Sequence, residues 1–166
     1  MRERENNMDF LKDDELGEFT YSYGWVREYT IQLFGDDVNV QLVIPCDEGD
    51  DIEEAQRAAF LAFDANKDAF ATQAECAIFD HYLTVCGGCR ARFGVEFADK
   101  LAPLISEMTQ IKGLVKATQV VVQQTFGTGD RVVGLIFICS WEPELGLAVR
   151  FVNEHIDEVG PQDIFL

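Results

Sequence analysis

Residues 132–139 read VVGLIFIC, an apolar run with no charge in it. Side chains of a strand alternate between two faces, so a run apolar at every position is buried on both, and its length suits a strand better than a helix. Val132 to Cys139 therefore predicts a central strand, covered by helices on one side at least. Around it lie Ala117 to Phe126, Gly146 to Val152 and His155 to Val159, also of strand length, with the central run extending over Arg131 to Trp141. The breaks between them, Gly127-Thr128-Gly129-Asp130, Glu142-Pro143-Glu144 and Asn153-Glu154, carry turn chemistry, and the succession reads as a β-meander.

A second β region lies near the N-terminus. Trp25, Tyr29, Ile31 and Leu33 share one face of an extended strand, with Val26, Glu28, Thr30 and Gln32 on the other. Gly35-Asp36-Asp37 reads as a turn, and Val38, Val40, Leu42 and Ile44 form the returning arm of a hairpin, with Gly17 to Tyr23 as a preceding strand. Between the two β regions the period changes. Ile52, Ala55, Ala59, Phe60 and Phe63 fall at helical spacing behind acidic Asp50, Asp51, Glu53 and Glu54. Phe70, Ala74, Ala77, Ile78, Tyr82 and Val85 form a second helical stripe, which Gly87-Gly88 is expected to end. Ser106 reads as the N-cap of a short helix over Glu107 to Lys112. The predicted fold is α+β: a single, mostly antiparallel β-sheet of six or seven strands, with a helical hairpin inserted between N-terminal and C-terminal β-meanders and packed on one face.

The chain has 166 residues, with 30 Asp and Glu against 13 Lys and Arg, for a formal charge of −17. This argues against binding nucleic acid phosphate or an anionic membrane, and any large charged partner should be basic. Residues 1–15 are charged and aperiodic and are expected to be flexible, leaving 16–166 as one domain. The first twenty residues contain no apolar run of signal-peptide length, and no stretch reaches the roughly 20 residues of a membrane span. The five cysteines, Cys46, Cys76, Cys86, Cys89 and Cys139, show no disulfide framework, so free thiols and a cytoplasmic location are expected.

Three features invite a chemical reading. Asp64, Asn66, Asp68, Thr72 and Glu75 fall at the oxygen-ligand positions of an EF-hand-like calcium loop, but Ala69 stands where that loop uses glycine for its sharp turn, which favours a plain helix-turn-helix. Cys86-Gly-Gly-Cys89 raises a zinc or thiol function, but His81 and Cys76 are the nearest further donors and no second pair closes a tetrahedron. Neither His81 nor His155 lies in a catalytic motif, and no cofactor is implied. Finally, between Asp36 and Glu54 there are eight carboxylates and no Lys or Arg. Asp36, Asp37, Asp47, Glu48, Asp50 and Asp51, at loop positions, are the candidate partner-binding residues, because clustered carboxylates steer a basic protein and speed its association.

Three stretches carry a family resemblance: the strand from Gly24 to Phe34; Glu54-Ala-Gln-Arg-Ala-Ala-Phe60 with Ala77-Ile-Phe-Asp-His-Tyr82; and Gly134 to Val149 with Gly160-Pro-Gln-Asp163. Together they resemble a family of small uncharacterised bacterial domains that look like immunity proteins of polymorphic-toxin and interbacterial-competition loci. The resemblance spans roughly residues 20–166 and transfers no catalytic residue. It implies a non-catalytic protein that neutralises a cognate toxin by stoichiometric binding, and the acidic surplus fits a basic, nuclease-type toxin.

Overall fold

The structure is a computed structural model and describes residues 2–5 and 8–165. Its elements in chain order are β1 (Arg2–Glu5), β2 (Met8–Asp13), β3 (Gly17–Tyr21), β4 (Trp25–Leu33), β5 (Asp36–Ile44), α1 (Glu54–Ala65), α2 (Lys67–Leu101), a 3₁₀ turn (Met108–Leu114), β6 (Val115–Val122), β7 (Val132–Cys139), β8 (Leu147–Val152), β9 (His155–Gly160) and a closing 3₁₀ turn (Gln162–Phe165). The strands form one sheet in the order β1 to β9, antiparallel throughout except where β5 runs parallel to β6. The architecture is α+β, with helices inserted between two β-meanders as predicted. Among the described residues the sheet has nine strands rather than six or seven, because the stretch expected to be flexible contains β1 and β2, and pairing continues past the expected start near Leu16.

The alternation read from β4 holds. Trp25, Tyr29, Ile31 and Leu33 are buried on the helix-facing side, opposite Ile44, Val40, Val38 and Asp36 of β5. The turn between these strands is Phe34-Gly35, both at positive φ (50° and 84°), so Asp36 and Asp37 begin β5 rather than form the turn. This is the two-residue geometry that matches strand twist. On the other side of the parallel junction, Val120 and Val122 of β6, Val133, Leu135 and Phe137 of β7, and Leu147, Val149 and Phe151 of β8 continue the same buried face. A register shift between Ala117 and Gln119 inserts one extra residue, so Ala117 and Val120 both face inward despite their spacing. That is the signature of a β-bulge.

The helices are laid out differently from a simple hairpin. α1 packs on β6 and β7, while α2 packs on β4, β8 and β9. Only Asn66 separates them, and the corner is filled by rings: Tyr29 against Phe60 and Phe63, Phe63 against Phe70 at 4.9 Å, and Phe70 against Phe151 at 4.8 Å. α2 also runs straight through Gly87-Gly88, contrary to the expected stop. Its buried stripe continues from Ile78 and Tyr82 to Cys86 and Cys89. A glycine costs about 1 kcal/mol in a helix, less than the 1.5–3 kcal/mol gained by burying a large apolar side chain such as Ile78, so packing on the sheet prevails. The break comes at Gly94, at φ 74° and ψ 176°, where glycine alone is comfortable. Beyond it the chain returns toward the stripe: Tyr82 donates to the Pro103 carbonyl (2.5 Å) and Arg90 to the Ala102 carbonyl (2.9 Å). The short helix is a 3₁₀ turn capped by Glu107 and Gln110 rather than by Ser106.

The far face of the sheet is covered in part by the C-terminal 3₁₀ turn. The Phe165 ring lies over Gly134, where any Cβ would collide with it, and Arg150 donates to the Ile164 carbonyl (2.9 Å). The central run VVGLIFIC is therefore buried on both faces along nearly its whole length. Ile138 is the exception, exposed where the cover ends.

Gln56 lies at the parallel junction and is fully buried. Its amide donates to the carbonyls of Pro45 (2.7 Å) and Val122 (3.0 Å), at the ends of β5 and β6, while its oxygen accepts the Glu53 N–H (3.0 Å). Replacing Gln56 by Leu strands buried carbonyls and should lower unfolding free energy by about 3 kcal/mol, measured by urea denaturation. Gln56→Glu should cost more at pH 7, because a carboxylate offers those carbonyls no donor.

Candidate functional site

Parallel β5 and β6 end on the same side of the sheet, so the loops that follow them meet there. Pro45 to Glu53 follows β5 and carries Asp47, Glu48, Asp50 and Asp51, all exposed. The loop is held in place: the Tyr21 hydroxyl donates to the Cys46 carbonyl (2.8 Å), and the Asp50 N–H donates to the Asp47 carbonyl (3.0 Å). Tyr21 stacks edge-on against Trp25 at 5.2 Å, and its phenol is pushed above its ordinary pKa by burial first, then by Cys46 and the carboxylates of Glu48, Asp47 and Asp50. It is a fastener beneath the loop. Tyr23, by contrast, is exposed and reaches Gln41 on the far face.

The second loop, Gln123 to Arg131, follows β6 and is tied to the first by Glu53. That carboxylate caps α1 and accepts the N–H groups of Thr125 (3.3 Å) and Phe126 (3.2 Å). Asp130 accepts from Asn153 of the β8–β9 turn (3.1 Å), which brings Glu154 alongside. The basic side chains nearby are spoken for. Arg131 forms a two-pronged pair with Glu154 (2.9 Å), and Arg57 pairs with Asp13 (2.6 Å) and Glu15 (3.3 Å). Leu11, Asp13, Trp25, Asp51, Ile52, Glu54 and Arg57 line a cleft of about 330 Å³ at this end. The hydrogen bonds from Arg57 hold the Asp13 carboxyl far below the usual carboxylate range.

The six predicted carboxylates do not form one surface. Asp36 and Asp37 lie at the start of β5 and Asp47 to Asp51 beyond its end, so nine residues of strand, about 30 Å, separate them. Asp36 is also paired with Lys112 (2.7 Å). The candidate site is thus Asp47, Glu48, Asp50 and Asp51 together with Glu53, Asp130 and Phe126. The sequence pattern places Phe126 at the end of a strand, whereas β6 stops at Val122 and Phe126 stands in the loop beyond it. The signal that marks it is an aromatic residue directly before Gly-Thr-Gly-Asp, where no core position follows.

The calcium-like segment is a helix corner. Asp64 accepts from the Tyr29 hydroxyl (2.7 Å), Asn66 donates to the Ala62 carbonyl (2.9 Å), Thr72 donates to the Asp68 carbonyl (3.0 Å), and Glu75 accepts the Phe34 N–H (2.5 Å). The five side chains are distributed along α1 and α2 instead of converging. Cys86 and Cys89 are buried within α2, next to the Ala102 carbonyl (3.7 Å) and the Arg92 guanidinium (3.3 Å) respectively. Among the described residues, no group of three or more His, Cys, Asp or Glu is placed to hold a metal ion. His81 lines a cavity of about 130 Å³ with Cys89, Arg92, Trp141 and Glu142, and burial lowers its pKa. Among the described residues no helix is long and apolar enough to cross a membrane.

Residues 15–166 match the family described as Domain of unknown function (DUF6985). No curated protein and no solved structure matches the chain.

Two outcomes follow from the geometry. Calcium titration should show no saturable micromolar binding, by calorimetry, because the side chains that would ligate it do not converge on one point. Asp13 should make the fold acid-sensitive. Its folded pKa is depressed, so its contribution is present above the unfolded value near pH 4 and lost as pH falls below it. Asp13→Asn should cost about 1 kcal/mol at neutral pH and flatten the pH dependence of stability below pH 4, in denaturant titrations.

Proposed function

We propose, for a chain that belongs to this domain family and inherits no activity from it, that the protein acts by binding one basic protein partner stoichiometrically and catalyses nothing. That is how an immunity protein neutralises a cognate toxin, and a basic, nuclease-type toxin is the partner whose charge fits. One observation carries the reading: the loops after β5 and β6 bring Asp47, Glu48, Asp50, Asp51, Glu53 and Asp130 to one end of the sheet, where the neighbouring arginines are already paired. Exposed like charges oppose folding slightly, so their concentration is better explained by long-range attraction of a cation-rich surface. Such a surface raises association rates and excludes acidic competitors.

Co-expression with the toxin encoded beside this gene tests the function, and absence of both protection and a complex would refute it. In that complex, converting Asp47, Glu48, Asp50 and Asp51 to Asn or Gln should slow association by about tenfold at low salt and flatten its salt dependence, measured by stopped flow. The same change at Asp36 and Asp37, about 30 Å away, should leave the rate nearly unaltered.

A further inference from the structure

Phe126 is 81% exposed, on a backbone at φ 50°. Solvation and backbone both work against this placement: water disfavours a bare phenyl ring, and a non-glycine residue is strained in the left-handed region. Phe34 provides the comparison within the same fold. It has the same φ of 50°, but its ring packs against the core, which offsets the strain. Phe126 lies outside that core.

The loop that carries it is nonetheless well braced. Glu53 accepts two consecutive N–H groups, from Thr125 and Phe126. The Thr128 N–H donates to the Thr125 carbonyl (3.2 Å), the Asp130 N–H to the Thr128 hydroxyl (3.3 Å), and the Gln123 N–H to the Val132 carbonyl (3.0 Å). These bonds fix the backbone that carries the ring, so little of the loop's freedom remains to be lost when the ring is covered. Strain maintained by surrounding bonds around a side chain that contributes nothing to the core points to a use outside the fold.

We propose that Phe126 is the anchor through which the domain engages its partner: the ring enters an apolar socket on a basic protein whose rim of Lys and Arg meets Asp47, Glu48, Asp50, Asp51 and Asp130. This rests on the protein-binding reading above and adds where the partner sits and which contact holds it. A central aromatic supplies most of the affinity, while the surrounding charges supply rate and register. A second copy of this chain is not the occupant, since docking two such ends would oppose carboxylate to carboxylate.

The test uses the purified full chain and a displayed library of a small folded scaffold with a randomised surface. Clones selected on the wild-type protein at low salt should be basic, and most should bind Phe126→Asn at least about 30-fold more weakly, while Phe126→Tyr retains binding. Phe126→Asn should melt at the same temperature as wild type or higher, because Asn tolerates the left-handed region and hides no apolar surface. Basic clones that ignore Phe126→Asn but are lost when the four loop carboxylates are neutralised would overturn the anchor and leave the acidic surface standing. Clones that are neither basic nor directed to this end would overturn both. A marked fall in melting temperature would show that the ring serves the fold, and a concentration-dependent dimer abolished by Phe126→Asn would assign it to a second copy; either overturns the proposal.

Discussion

The parallel contact between β5 and β6 is the constraint on which the rest of the molecule depends. Antiparallel strands can be joined by two residues, but parallel neighbours require the chain to travel back along the sheet, and here α1 and α2 make that return. This places the helices on one face and gives the two meanders one continuous core. It also leaves two carbonyl-bearing strand ends diverging side by side inside the protein. Gln56 satisfies both, so a single buried amide joins the N-terminal meander, the C-terminal meander and the first turn of α1.

The same constraint creates the acidic end. Because β5 and β6 point the same way, the segments that follow them emerge together, and Glu53 bridges them. Its carboxylate serves as helix cap, loop brace and part of the charged surface at once. The opposite end of β5 carries a smaller acidic pair, and there Asp36 is already engaged by Lys112. One end of the sheet has carboxylates in excess of local cations, and the feature that breaks the usual rules of folding, an exposed and strained Phe126, is at that end too.

Glycine positions show how packing overrides local preference. Gly87 and Gly88 face open space in the middle of α2, while Cys86 and Cys89 on either side are buried. The helix survives its two weakest residues because the sheet and the returning segment around Ala102 and Pro103 grip the residues between them. Gly94 is no weaker in propensity, yet the chain turns there. Val95, fully exposed just beyond it, has no core to hold it. The Asp64 to Glu75 segment teaches the same lesson: ligand-like spacing along a chain means little once Phe63 and Phe70 draw the backbone into a corner and Asp64 and Glu75 are taken up by Tyr29 of β4 and Phe34 of the turn after it.

Periodicity alone determined most of the secondary structure. Burial on one face of a strand or one stripe of a helix must repeat in the side chains, so Trp25 to Leu33, Ile52 to Phe63, Phe70 to Tyr82 and Val132 to Cys139 could be read directly, as could the α+β class. Composition likewise determined the sign of the chain's own net charge. Tertiary structure alone decided which charges stand together. Residues adjacent in sequence around β5 separate to its two ends because an extended chain gains about 3.3 Å per residue, whereas Glu53 and Phe126, distant in sequence, meet because the strands before their loops are parallel neighbours. The parallel pairing itself was invisible in the residues. An apolar strand of either direction has the same period, and only the route of the intervening helices over the sheet selects between them.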